Sequence, residues 1–125
     1  MAYVSKETKA KIAPLVKAIA NKYGVKVTLA VRDYRVLVAN ISSGKIDFLG
    51  NTSRPDRNFG YIQVNQYFLA NSFSGKALKF LEELRDALKS NGWYNNSNAQ
   101  IDYFDTAWYI DINIGKWNKP YVFVK

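Results

Sequence analysis

Residues 25–41 read VKVTLAVRDYRVLVANI, and the fold follows from how this stretch is arranged. Val25, Val27, Leu29 and Val31 alternate with Lys26, Thr28, Ala30 and Arg32, the period-two pattern of a half-buried strand. RVLVANI continues after Asp33–Tyr34, so the segment predicts an antiparallel hairpin. A two-residue loop would set Val31 against Val36, Leu29 against Val38 and Arg32 against Arg35. Two arginines directly opposed repel, and the turn lacks the glycine that tight hairpins favour. Either the loop is wider than two residues, or an anion lies between the arginines.

Upstream, Ser5 is placed to cap a helix running to Tyr23. Ile12, Leu15, Val16, Ile19, Ala20 and Tyr23 form its apolar stripe, and Gly24 ends it. Pro14 removes one helical hydrogen bond and crowds the preceding turn, so a kink is expected there. Downstream, SSG (42–44) reads as a turn and KIDFLG (45–50) as a third strand. GNTSRPDRN (50–58) reads as a loop, FGYIQVN (59–65) as a fourth strand candidate, and QYFLANSF (66–73) as irregular. A second helix starts at Ser74, buries Ala77, Leu78, Leu81, Leu84 and Leu88, and stops at Asn91–Gly92.

The segment IDYFDTAWYIDINIGKWNKPYVFVK (101–125) is dense in rings. Trp108, Ile110, Ile112 and Ile114 fall on one face of a strand; Tyr109, Asp111 and Asn113 fall on the other. GKWNKP reads as a turn, and YVFV as a last strand pairing back as a hairpin. Most of the rings therefore read as core, with Tyr94, Tyr109 and Trp117 left over. The expected fold is one α+β domain over residues 1–125, with two helices packed on one face of a mostly antiparallel sheet. Its order is α-β-β-β(β)-α-β-β.

Composition narrows the chemistry. The 125 residues, 48% hydrophobic and 15% aromatic, suit a globular domain that folds without staples. No apolar run reaches the length of a membrane span, and no secretory signal is visible, so an intracellular protein with no membrane partner is expected. Neither cysteine nor histidine occurs. Thiol catalysis, Ser-His-Asp triads and imidazole metal sites are thereby excluded. Asp102, Asp105 and Asp111 are the remaining candidates for an oxygen-ligated Mg²⁺, but their placement suits charge balance and turns better. SGK occurs at 43–45 and 74–76 without the spacing of a phosphate-binding loop. The expectation is a protein that is not an enzyme and has neither a cofactor nor a metal.

The net charge of +8 is concentrated: residues 1–45 hold nine Lys/Arg against Glu7 and Asp33. Such a balance favours a polyanion, chiefly nucleic acid, although the same lysines also serve as a solubilising face. The candidate nucleic-acid contacts are Lys9 and Lys17 on the first helix, Arg32 and Arg35 at the hairpin turn, and Arg54 and Arg57 in the 50–58 loop. Lys76 and Lys79 join them, because cations at a helix N-terminus oppose the macrodipole unless an anion binds there. Exposed rings such as Tyr34 or Trp117 can stack on bases. The alternative is a protein interface built from Tyr109, Trp117 and the 50–58 loop, or a homodimer through the C-terminal hairpin edge.

The order helix–strand–strand–strand–helix resembles that of double-stranded RNA-binding domains. The 50–58 loop and the C-terminal hairpin depart from that family, and none of its residues is carried over. The phrases KYGVKVTLAVRDYRVLVANISSGKIDF, GYIQVNQYF, FSGKALKFLEEL and IDYFDTAWYIDINIGKWNKPY resemble small uncharacterised proteins of tailed bacteriophages. They are also similar to a large polyvalent protein-associated domain of mobile elements. The resemblance covers most of the chain and names no chemistry. It implies a phage accessory protein in the cytoplasm of an infected bacterium, acting against host defence; with the basic N-terminal half, the expected partner is nucleic acid or, as the alternative, a host or phage protein.

Overall fold

The computed structural model describes residues 3–48, 61–64, 69–90, 93, 108–115 and 119–124. Helix α1 spans Lys6–Tyr23, strand β1 Val25–Arg32, strand β2 Val36–Gly44 and strand β3 Ile62–Val64. A short helix α2 (Leu69–Ser72) precedes α3 (Gly75–Leu88), and strands β4 (Tyr109–Ile114) and β5 (Val122–Phe123) follow. The expected α+β class is therefore found, with α1 and α3 on one face of the sheet.

α1 begins where Ser5 accepts a hydrogen bond from the Thr8 amide, and it runs through Pro14 as one element. Gly24, at φ 67°, ends it with its N–H on the Ala20 and Asn21 carbonyls. The left-handed conformation that closes a helix there suits glycine. Ile12, Val16, Ala20 and Tyr23 are buried as the stripe predicts, but Leu15 is 48% exposed. α3 starts after an extended Ser74 that makes no side-chain cap, and it ends at Leu88, short of the expected Asn91–Gly92. Phe80 and Ala87 join its buried face.

The sheet order is β1-β2-β4-β3, with β5 also on β2. β1 and β2 form the expected hairpin, but Arg32 pairs with Val36 and Leu29 with Ala39, so Asp33, Tyr34 and Arg35 make a wider loop. Of the two alternatives left open, the wider loop is the one found. Asp33 and Tyr34 both take positive φ, 52° and 49°, and the Arg35 amide donates to the Arg32 carbonyl at 3.2 Å. At the other end Gly44 lies against β1: a Cβ there would sit 2.7 Å from Val25 Cα. No larger residue fits this crossing.

Two strand expectations are corrected. Residues 45–47 bend away from the sheet, although Ile46 and Phe48 are buried in the core; alternate burial occurs there without a strand partner. The C-terminal hairpin does not form either. β4 pairs parallel to β2 through Val36–Ile41 and antiparallel to β3, while β5 pairs parallel to β2 at Ser43 and Gly44. β4 and β5 thus occupy one edge of β2 in line, and β4 is an interior strand. Among the described residues β4 and β5 therefore form no hairpin edge of the kind named for a homodimer. The sheet is mixed, its β1–β2 and β3–β4 ladders antiparallel and its two ladders to β5 and β4 from β2 parallel.

The core lies between this sheet and the helices. Leu37, Ala39, Ile41, Ile110, Ile112 and Ile114 meet Phe80, Leu81, Leu84 and Leu88. Phe48 packs edge-on to Phe73 and to Tyr121, and both Tyr23 and Phe48 pack against Phe80. Buried rings of this kind are worth about 3–5 kcal/mol each against alanine. Trp108 donates to the Leu88 carbonyl at 3.0 Å, and Trp93 to the Trp108 carbonyl at 2.7 Å. Of the described rings in 101–125, Trp108 and Tyr121 are core as expected, Tyr109 is exposed as expected, and Phe123, expected in the packed strand, is 43% exposed.

Candidate functional site

Register sorts the sheet into two faces. Opposite the helices lie Lys26, Thr28, Ala30 and Arg32 of β1, Val36, Val38, Asn40 and Ser42 of β2, Tyr109, Asp111 and Asn113 of β4, and Gln63 of β3. Among the described residues no helix covers this face. Its two ends differ in charge chemistry.

At the turn end, Arg32 reaches Asp111 at 3.0 Å. The two residues sit on β1 and β4 with β2 between them, strands that are about 10 Å apart across β2. The ion pair therefore straddles β2, above Val38, which is only 6% exposed. Gln63 Nε2 also donates to Asp111, at 3.4 Å. The charge of Arg32 is thus largely answered within the protein. Around it stand three tyrosines: Tyr3, Tyr34 and Tyr109, exposed by 59, 60 and 45%. The Tyr3 and Tyr34 rings lie 6.5 Å apart. The Val4 amide donates to the Tyr34 carbonyl at 2.8 Å and the Tyr109 amide to the Arg35 carbonyl at 2.9 Å. Those bonds hold the left-handed Tyr34, a conformation costing a non-glycine residue about 1–2 kcal/mol.

At the opposite end, α1 hands over directly to β1 at Gly24, and β2 ends at Gly44. The Lys45 amide donates to the Gly24 carbonyl at 3.0 Å, and the Val124 amide to the Gly44 carbonyl at 2.8 Å. These bonds bring Lys17 and Asn21 of α1, Lys26 of β1, and Ser43 and Lys45 around one cleft of about 410 Å³. Among the described residues no carboxylate lines it. None of the three lysines forms an ion pair among the described residues, whereas Lys11, Lys22, Arg32 and Arg85 each do. Three ammonium groups around one cleft raise its potential and draw anions to it. Lys26 and Ser43 also line a second hollow, on the helix-free face, where Lys119 joins them.

The expected contacts separate accordingly. Lys17 lies in the acid-free cleft, and Lys9 is half-buried about 12 Å back along α1. Arg32 is paired, and Arg35 is exposed at the turn. Lys76 and Lys79 line a cleft of about 780 Å³ that also holds Glu82, Glu83 and Asp86. There the Tyr23 hydroxyl and Lys22 both donate to Glu83. These two hydrogen bonds, Tyr23's foremost, hold the Glu83 carboxyl below its ordinary range. The same bonds push Lys22 and Tyr23 up. Anions entering this cleft meet three carboxylates as well as lysines. Arg54, Arg57, the rest of the 50–58 loop and Trp117 lie outside the described residues, as do Asp102 and Asp105. Among the described residues no acidic cluster suited to a metal occurs, and no helix is long and apolar enough to cross a membrane.

Sequence reasoning missed Lys26, Lys45 and Lys119 as candidates. The signal was present in the glycines: Gly24 precedes Val25–Lys26, and Gly44 precedes Lys45. No family model, curated protein or solved structure matches the chain.

Proposed function

We propose that the protein is a non-catalytic module that binds the sugar-phosphate backbone of nucleic acid through the lysine cleft formed by α1, β1 and the end of β2. In the setting that the tailed-phage resemblance implies, it serves as an accessory protein in an infected bacterium. The observation that carries this reading is the convergence of Lys17, Lys26 and Lys45 on a cleft that no carboxylate of the described residues lines. Lysines that serve only solubility gain nothing from being gathered in this way; dispersed or paired ammonium groups repel one another less. Phosphates would enter as point contacts to the ammonium groups, with the Ser43 hydroxyl and the Asn21 carboxamide beside them. Such contacts read charge and not sequence.

Anisotropy of labelled single-stranded and duplex DNA and RNA, measured across a salt series, tests this. Each phosphate neutralised contributes about 0.7–0.9 to the log–log slope, so three or four lysines predict a slope of about −3. Absence of binding at low salt would overturn the reading. A second reading is favoured by one feature, the tyrosine-flanked turn. Tyr3, Tyr34 and Tyr109 beside Arg35 have the composition of a protein-binding hot spot. Under that reading a host or phage protein docks at the turn end, and pull-down with a Tyr34→Ser control identifies it.

A further inference from the structure

On the helix-free face, both ladders of β2 are interrupted at the same level. On the β1 side, Lys26 pairs with Ser43 and Val27 with Ile41, so Ser42 is the extra residue of a bulge. On the other side, β4 ends opposite Ile41 and β5 resumes opposite Ser43. The Gly115 amide closes the first half by donating to the Ile41 carbonyl at 2.8 Å. The two breaks leave a hollow of about 420 Å³ in the sheet face, lined by Lys26, Thr28, Asn40, Ser42, Lys119 and Val122 among others. A bulge of this kind redirects side chains and is common beside functional sites.

The lining is chemically one-sided. Two ammonium groups, the Thr28, Ser42 and Ser43 hydroxyls and the Asn40 carboxamide line it, and among the described residues no carboxylate does. Asn40 accepts from Asn113 Nδ2 at 3.4 Å, which leaves the Asn40 amide N–H groups for the hollow. Pro120 and Val122 supply an apolar wall. A bare oxyanion would fill only part of this volume and would leave the apolar wall wet. A volume of this size, part cationic and part apolar, suits a small ligand bearing one phosphate.

We infer that the hollow seats a single nucleotide, its phosphate against Lys26, Lys119 and the hydroxyls and its sugar or base against Pro120 and Val122. The inference rests on the nucleic-acid reading and sharpens it: Lys26 is shared with the backbone cleft, so the seated nucleotide belongs to a strand that continues over Lys17 and Lys45. A paired, stacked nucleotide cannot enter such a recess without leaving its duplex. The ligand is therefore a single strand or a strand end.

The test is NMR titration of the ¹⁵N-labelled protein with adenosine monophosphate, with inorganic phosphate, and with single-stranded and blunt duplex oligonucleotides of equal length. Adenosine monophosphate should shift the side-chain amides of Asn40 and Asn113 and the backbone amides of Thr28 and Ser42, at about tenfold lower concentration than inorganic phosphate. Single strands should bind more tightly than the duplex. Ser42→Glu and Lys119→Glu, both exposed positions, should each weaken the nucleotide about tenfold or more without changing the circular dichroism. Equal response to phosphate and nucleotide would overturn the nucleotide assignment. Strand binding with no nucleotide response at these amides would remove the hollow as a site and leave the backbone cleft standing. Nucleotide response with no binding of any strand would keep the hollow and remove the strand from the reading.

Discussion

The two ends of the sheet both carry cations and use them differently. At the turn end, Arg32 is paired with Asp111 across β2, and the exposed surface is aromatic. At the glycine end, Lys17, Lys26 and Lys45 share a cleft that no carboxylate of the described residues lines, and the exposed surface beside it is aliphatic and aromatic as well as polar, with Val122, Phe123 and Val124 on it. A charge count treats the two ends alike. Position matters because the energy of an ammonium group depends on whether a carboxylate stands within a few ångströms. At the turn end Arg32 is spent on structure and Arg35 stands exposed two residues after Asp33 in the chain; the glycine end gathers three cations toward one cleft.

The contrast can be broken most sharply by Lys26→Glu/Lys45→Glu. Nucleic-acid affinity should fall about a hundredfold and the salt slope should lose about two units, measured by anisotropy. An unchanged affinity would move the site away from the glycine end. The next effect concerns what anchors that end. The Tyr121 hydroxyl donates to the Ile46 carbonyl at 2.6 Å, and burial first, with Asp47 second, pushes its pKa up to about 12. A tyrosine whose folded pKa is raised keeps its full contribution below its unfolded value near 10. That contribution is lost as pH rises from about 10 through 12. Urea unfolding should therefore show a loss of about 2–3 kcal/mol across that window. Tyr121→Phe should flatten this loss and cost about 1 kcal/mol at neutral pH.

At the turn end, Arg32→Ala should lower stability by about 1 kcal/mol, because the pair is partly screened on its exposed arginine side. The same variant should change nucleic-acid affinity less than about threefold, since its charge is already answered. A tenfold loss of affinity would reverse the assignment of the two ends. The smallest effect is expected of Tyr34→Asn. Asparagine tolerates the left-handed φ of 49° found there better than tyrosine does, so the melting temperature should rise by the equivalent of about 0.5 kcal/mol. A fall instead would mean that the Tyr34 ring contributes more through Tyr3 than its backbone costs.

What was legible in the sequence was local. The α1 cap at Ser5 and stop at Gly24, the β1–β2 hairpin, the buried face of α3 and the two-faced β4 are all written in patterns a few residues long. Non-local pairing was not legible. Nothing in YVFV distinguishes a strand that turns back on β4 from one that continues in line with it along β2. Ile46 and Phe48 alternate as a strand would, yet their partners are rings of the core. The site shows the same limit. Lys17 was recognised, but the bond from Lys45 to the Gly24 carbonyl is what brings Lys26 and Lys45 to it, and that contact joins segments 21 residues apart. The pairing of Arg32 with Asp111, 79 residues away, is equally invisible to composition.

The parallel placement of β4 beside β2 also sets a timetable. Asn40 and Asn113, on adjacent strands, are separated by 73 residues, and no hairpin shortens that distance. During synthesis β1, β2 and α1 can associate early, but the inner edge of β2 acquires its β4 neighbour only after Ile114 has been made. Domains whose central contacts are this distant in sequence collapse late and fold slowly. Until then the nascent chain presents an unpaired edge beside Leu37, Ala39 and Ile41, a surface prone to wrong partners. Assembly of the glycine end, where β5 joins Ser43 and Gly44, comes later still, so a ligand there is held only once Phe123 has been made and docked.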